Sequence, residues 1–514
     1  MPLFVKKRIY MLFLIYVLFL LAFVVFKFIL SLLLLLLLSA CVGENSDPDG
    51  LFTSDRECPT NMECFSFSAP KDYSDPFGEQ VEIFYGRHQA TDVANRIGVL
   101  FFNYGGPGAE AVDATAIMVN SFLPDEILEK FDIVAIDPRG TGKSAFSDEL
   151  LACASANNCQ SVYSSIAPYM TTNVIAQDMD RLREILGESE INYLGYSYGG
   201  RLGNVYIDMF PDNIRAVVLD SPSKGGNVNY DYDLSTRALQ YERLFESNEQ
   251  YSDQASNRTF LENIVSDFED GTIVEYTSSG DSVTINEDEF LSILSYSIRS
   301  IEDSYWNDIF EDFYMNDILH AAKQYVSGGS NILINDEDKR FFEALKIVNC
   351  LDRNYDIDFN STDVKDDFYA AKIYGHMYYE LYFPLCEDLV YLNDPVSNLN
   401  DLSSKIDGKK VMIIGIDLDT NTPYSYATEL KTLYGSDTEF VTVNNKVQHG
   451  MSFVLGTSNS FDQMVVEHFL DPTADTTDKS INYNSISVSP SFVIPAYASP
   501  VKKNTHPLKN PFMM

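Results

Sequence analysis

The stretch Ile191-Asn192-Tyr193-Leu194-Gly195-Tyr196-Ser197-Tyr198-Gly199-Gly200 decides how the rest of the chain is read. Ile191 to Leu194 is a short apolar run closed by a glycine, as a buried strand is, and an amphipathic segment through Asn204 to Phe210 continues as a helix. Ser197 sits on the turn between them, two residues from a glycine on either side. Those glycines let the chain bend sharply, hold the serine in a strained conformation and leave room for the helix and an approaching substrate. The G-x-S-x-G pattern is common by chance. In a strand-to-helix context it exposes a hydroxyl, so Ser197 is the candidate nucleophile.

Working outward, short β-rich runs occur at Val81 to Tyr85, Ile97 to Asn103, Phe131 to Ile136 and Ile214 to Leu219, with helical periodicity between them. Thr172 to Leu186 is the clearest helix, with Val174, Ile175, Met179, Leu182, Ile185 and Leu186 on one face. Alternating strands and helices predict a mainly parallel α/β sheet with flanking helices. After Lys224 the pattern becomes acidic, Tyr-rich and largely helical; the buried-strand signature returns at Lys410 to Ile416, followed by a strand at Phe440 to Val443 and a helix at Phe461 to Phe469. The expected organisation is an α/β core in two parts, 58–224 and 406–474, interrupted by an inserted, largely helical cap domain at 225–405. Residues 475–514, rich in Thr, Ser, Asn and Pro, read as a loosely ordered tail.

The run Ile97 to Phe102 leads into Asn103-Tyr104-Gly105-Gly106-Pro107-Gly108, where a backbone N–H can turn toward a carbonyl oxygen and join the N–H of the residue after the serine. Gly106 and Tyr198 are the oxyanion-hole candidates. Gly140-Thr141-Gly142-Lys143-Ser144 ends like a phosphate-binding loop, yet position 137 holds Asp where the first glycine is needed. That loop reads as structural, with Arg139 paired to a carboxylate.

The base and acid should follow the serine in the chain. Of the later histidines, His320 and His376 fall in the insertion, His468 within a helix and His506 in the tail. His449, in a loop just after a strand and beside Gly450, is the candidate base. Two carboxylates, Asp417 and Asp419, follow the strand Val411 to Ile416, and either could be the acid. The D-x-D-x-N run they belong to lacks the glycine and the twelfth-position Glu of a calcium loop. No metal site and no cofactor are expected.

The chain has 514 residues, a net charge of −39 and 45% hydrophobic residues: a folded, very acidic protein and a poor partner for nucleic acid. Between Ser221 and Asn400 there are 35 acidic against 12 basic residues, so the surplus is concentrated in the insertion. A solvated acidic surface and a field that attracts cationic ligands both fit this imbalance.

At the start, Lys6, Lys7 and Arg8 precede the apolar runs Ile9 to Phe26 and Phe28 to Leu38, which end in Leu38-Ser39-Ala40-Cys41. Residues 1–40 read as a secretory signal, with an uncleaved anchor as the alternative. The closing tetrapeptide resembles a bacterial lipobox, which makes Cys41 the expected lipidation site and 41–57 a tether. These features predict export across the inner membrane and a cell-envelope protein held to the membrane by lipid, on its periplasmic or outer side. The other six cysteines suit an oxidising compartment. Proximity suggests the pairs Cys58 with Cys64, Cys153 with Cys159 and Cys350 with Cys386, among 15 possible connectivities.

Taken together, Gly105-Gly106-Pro107-Gly108, Asp137-x-Arg139-Gly140-x-Gly142-x-Ser144, Gly195-x-Ser197-x-Gly199-Gly200, Asp419-x-x-Thr422-Pro423 and His449-Gly450 resemble, in order and spacing, the α/β-hydrolase serine peptidases of the prolyl and tripeptidyl aminopeptidase type. The resemblance covers about Cys58 to Leu470. It implies that Asp419 is the acid, that the insertion is the family's cap, and that the substrate is a peptide with a free N-terminus. A carboxylesterase or lipase-like hydrolase would use the same residues. A lipid-anchored binding protein without catalysis is the alternative of another class, against which the complete Ser, Asp and His set argues.

Overall fold

The structure is a computed structural model. It describes residues 58–226, 228–247, 274–278, 281–285, 336–354, scattered residues between 368 and 399, 402–454, 460–474 and 477–488. The expected signal segment, Cys41, the tether, His320, His376, His506 and much of the cap lie outside the described residues.

Among the described residues nine strands form one sheet: β1 (Glu63–Pro70), β2 (Gln80–His88), β3 (Gly98–Asn103), β4 (Phe131–Ile136), β5 (Ile191–Tyr196), β6 (Ile214–Asp220) and, beyond the insertion, β9 (Val411–Ile416), β10 (Glu439–Val447) and β11 (Lys479–Val488). Their spatial order is β1-β2-β4-β3-β5-β6-β9-β10-β11. The first two ladders, β1 on β2 and β2 on β4, are antiparallel; the others are parallel. Every residue of β3, β4, β5 and β9 is buried. Continuous apolar runs such as Val-Met-Ile-Ile-Gly-Ile are what a parallel sheet covered on both faces requires.

Eight helices matter for the site: α1 (Ala111–Ser121), α2 (Ser147–Ser155), α3 (Thr172–Ile185), α4 (Tyr198–Met209), α5 (Tyr230–Ser247), α6 (Asp336–Leu351), α7 (Tyr424–Tyr434) and α8 (Ser460–Leu470). On one face α1 and α8 bury Met118, Phe461, Val465 and Phe469 against Leu100, Ile133, Val218 and Ile414. On the other, Ile175 and Met179 of α3 and Leu202 of α4 meet Phe101 and Tyr193. Disulfides join Cys58 to Cys64, Cys153 to Cys159 and Cys350 to Cys386.

The sequence reading differs from the structure in three places. The region from 475 is not loose throughout: Lys479–Val488 extends the sheet as β11, parallel to β10. Its Ser, Asn and Lys content disguised an edge strand whose Ile481 and Tyr483 alternate onto the core. The insertion contains a hairpin, β7 (Val274–Ser278) with β8 (Asp281–Ile285), that helical periodicity did not announce. Strand β1 was missed because its burial alternates only weakly.

The loop after β4 is structural, as expected. Arg139 is fully buried and donates from Nε and Nη2 to the two oxygens of Asp178, both at 2.8 Å, and from Nη2 and Nη1 to the carbonyls of Pro70 and Lys71. Asp178→Ala would leave that guanidinium buried without its counter-charge, and should lower the unfolding free energy by about 3–5 kcal/mol. Urea denaturation reads this; a loss under about 1 kcal/mol would show that the pair contributes little beyond an exposed one.

Candidate active site

Ser197 occupies the first position after β5 and caps α4, with φ 56° and ψ −121°. Such a conformation costs about 1–3 kcal/mol and persists only where its surroundings hold it. Here they do: the Ser197 N–H donates to Asp220 O at 3.0 Å, and its carbonyl accepts from Gly200 N at 2.9 Å and Ser223 N at 2.8 Å. The flanking glycine is obligatory on space alone, because a Cβ on Gly199 would stand 2.7 Å from Asn103 O. Ser197 is buried, 5% exposed.

The glycine-rich turn after β3 presses against this bend. Gly105 has φ 87°, and a Cβ there would come within 2.8 Å of Ser197 Cβ and 3.1 Å of Tyr198 N. Gly105 N–H is committed to Asn103 Oδ1 at 3.0 Å and Pro107 has no N–H, which leaves Gly106 as the amide of that Gly-Gly-Pro run able to donate. The turn feeds α1, whose first amides, Ala111 and Val112, donate to Asp137 Oδ1 at 2.9 and 3.0 Å. Burial, helped by the nearby Glu110, pushes the Asp137 carboxyl up to about 7.

Asp419 and His449 meet across the neighbouring strand ends. His449 Nδ1 is 2.8 Å from Asp419 Oδ2 and 3.1 Å from Oδ1. Asp419 is 1% exposed and also accepts the N–H groups of Asn421 and Thr422, at 2.9 and 3.0 Å, through Oδ1. Asp417 turns elsewhere: its carboxylate accepts Asn445 N at 2.9 Å and Lys446 N at 3.5 Å, holding the irregularity in β10 between Asn444 and Lys446. Geometry thus separates two carboxylates that the residues alone left open. His468 lies inside α8, its Nδ1 3.4 Å from Glu439 Oε2, and belongs to the core.

One residue that ties these loops together does not stand out in the sequence. Asp220, at the end of β6 and fully buried, accepts the Ser197 N–H with its main-chain oxygen and, through Oδ2, the N–H groups of Met451 and Ser452 and the Ser452 hydroxyl at 2.9, 2.6 and 2.7 Å. Next to it, Ser221 Oγ accepts Gly450 N at 3.0 Å, while the Tyr196 hydroxyl donates to Ser452 O at 2.6 Å. The loop bearing His449 is thereby fastened to both residues that precede the β5 and β6 turns. The available signal was a carboxylate closing a buried strand beside the serine strand. Among the described residues, no cluster of three or more His, Cys, Asp or Glu side chains is placed to hold a metal.

A mostly parallel sheet in this order, with a strained serine after β5, a carboxylate after β9 and a histidine after β10, defines an α/β-hydrolase fold. A family model described as alpha/beta hydrolase fold matches residues 98–337, and one described as TAP-like protein matches 372–481. The chain is 33% identical over 196 residues to a tripeptidyl aminopeptidase of Streptomyces lividans, a match covering 33% of this chain and 36% of that protein. It is 36% identical over 197 residues to carboxylesterase B of Mycobacterium tuberculosis, covering 33% and 38%. A solved proline iminopeptidase of Mycobacterium smegmatis is 13% identical, covers 79% of this chain and 98% of its own, and superposes with a TM-score of 0.37. The matched region spans about a third of the length of the curated relatives.

Proposed function

We propose that this chain is a serine hydrolase of the aminopeptidase type, with Ser197 as nucleophile, His449 as base and Asp419 as its orienting acid. The observation that carries the reading is the Asp419 carboxylate 2.8 Å from His449 Nδ1, on a loop fastened to the strand ends beside the strained Ser197. An imidazole held by its Nδ1–H presents Nε2 as the proton acceptor. Ser197 Oγ attacks the scissile carbonyl as its proton passes to His449; the N–H groups of Tyr198 and Gly106 receive the oxyanion. The imidazolium, stabilised by Asp419, gives the proton to the leaving nitrogen. Water then attacks the acyl-enzyme, losing its proton to His449, and the acid product leaves as Ser197 regains its hydrogen.

The substrate is a peptide with a free N-terminus. The tripeptidyl aminopeptidase relative and the TAP-like match favour peptide over ester, and the acidic insertion suits an amine-bearing substrate. An esterase is the second reading, favoured by the relative named carboxylesterase B. The discriminating experiment compares kcat/KM for tripeptide p-nitroanilides with free and acetylated N-termini and for p-nitrophenyl butyrate. Free-amine substrates should exceed their blocked counterparts by at least about 100-fold, since a buried charge partner for the amine would otherwise be left unpaired. Equal rates on blocked and free peptides would sink the aminopeptidase assignment and leave the hydrolase one standing.

The location we propose is the cell envelope, by a lipid on Cys41 and outside the cytoplasm, supported by the basic start, the apolar runs and Leu38-Ser39-Ala40-Cys41. Cells fed a clickable fatty acid should tag the protein, and Cys41→Ser should abolish the tag. A tag that survives the substitution, or no tag on the starting protein, would exclude Cys41 as the lipid anchor.

A further inference from the structure

Helix α6 of the insertion lies directly on the glycine-rich turn. A Cβ on Gly106 would stand 3.3 Å from Phe341 Cε2, and one on Gly108 3.0 Å from Phe341 O and 3.1 Å from Ala344 Cβ. The helix is fixed there from several sides. Arg340, 3% exposed, donates to Ser147 Oγ of α2 at 2.8 Å and pairs with Glu110, the residue just before α1. The Tyr163 hydroxyl donates to Glu343 at 2.6 Å, and the Cys350–Cys386 disulfide ties down the far end. Phe341 packs on the core and is partly buried, with Cε2 of its ring against the Gly106 position.

The order of the sheet then sorts the two halves of a substrate. The glycine turn follows β3 and His449 follows β10, on opposite sides of β5. The leaving group must take its proton from His449, so it lies toward β6, β9 and β10. The oxyanion points at the Gly106 and Tyr198 amides, and the group that stays on the reacting carbonyl through the acyl-enzyme lies away from His449 beside that oxyanion, on the β3 side under α6. We propose that Phe341 is a specificity-determining residue: its ring walls the acyl side of the cleft and limits the bulk of the apolar group joined to the reacting carbonyl. This rests on the serine-hydrolase reading of Ser197.

The test holds the leaving group constant and varies the acyl group, comparing kcat/KM for p-nitrophenyl acetate and p-nitrophenyl 2,2-dimethylpropanoate. Phe341→Ala should raise the ratio of the bulky to the small ester by about tenfold or more, and Phe341→Trp should lower it, as removal or addition of wall contacts does in a hydrophobic pocket. With the acyl group fixed as acetyl, exchanging p-nitrophenol for 1-naphthol should give a ratio that Phe341→Ala leaves within about twofold of the starting protein. A purely structural role would lower all these rates together. An unchanged acyl ratio in a Phe341→Ala protein whose Ser197 still reacts with a fluorophosphonate overturns the proposal, as does a change confined to the leaving group. Should the Ala variant fail to react, Phe341→Leu, which keeps an apolar contact on Gly106, carries the same comparison with a shift of about threefold expected, and no shift there overturns it. Starting protein that neither reacts with the probe nor cleaves any ester contradicts the hydrolase reading instead, a separate result.

Discussion

Ser197→Ala should lower kcat/KM by about 10⁶-fold on every substrate the protein turns over, while leaving its fold intact. The hydroxyl is the only atom removed, and none of the contacts that hold the bend uses it: they run through the Ser197 N–H and carbonyl, to Asp220, Gly200 and Ser223. Alanine at φ 56° is as strained as serine, so stability should change by less than about 1 kcal/mol. Activity and urea stability measured on one preparation separate the two effects. A loss of activity accompanied by a comparable loss of structure would show only that the turn had collapsed.

The second large effect distinguishes two aspartates two residues apart. Asp419→Asn should cost about 10⁴-fold in kcat, because an amide that donates its NH₂ toward His449 Nδ1 favours the wrong tautomer and no longer stabilises the imidazolium. Asp417→Asn should cost less than about tenfold, since an amide oxygen can still accept the N–H of Asn445 and keep the irregularity in β10 that leads to His449. Measuring both variants over pH 5 to 9 makes the contrast sharper. Similar losses for the two would mean that the loop, rather than the Asp419–His449 pair, is what matters.

Much of this architecture is written in local pattern. Phe131–Ile136 is a strand end to end because its residues, apolar apart from the ion-paired Asp132, form one buried run bounded by a helix and Asp-Pro with no competing period, and Ser197 is recognisable because its glycines are demanded by space, a Cβ on Gly199 coming as close as 2.7 Å to Asn103 O. His449 could be reached by elimination among few histidines. What local pattern does not carry is partnership between distant segments. Asp220 reads as the last residue of an apolar strand; only the fold shows that it holds the His449 loop. Polar β11 forms because β10 offers it an edge.

The acidic insertion shows the same limit. Its composition suggests a solvated surface, yet Asp233 and Asp352 are fully buried among Arg201 of α4, Arg237 and Arg353, with the Tyr426 hydroxyl donating to Asp233 at 2.7 Å. Burial alone would raise Asp233; Arg237, Arg353 and Arg201 outweigh it and hold that carboxyl well below the usual range. These pairs fasten the insertion to the helices that follow the serine and the Asp419 loop. Asp233 and Asp352, two of the carboxylates that looked like surface, therefore hold the described part of the insertion to the core.

In the proposed mechanism His449, oriented by Asp419, makes Ser197 nucleophilic. Fluorophosphonate treatment of the folded protein, with the adduct located by peptide mass spectrometry, reads that reactivity at the serine itself. One adduct is expected, on Ser197, with labelling at least about 10³-fold slower after His449→Ala. No adduct on Ser197 in folded protein, or equal labelling without His449, would contradict it.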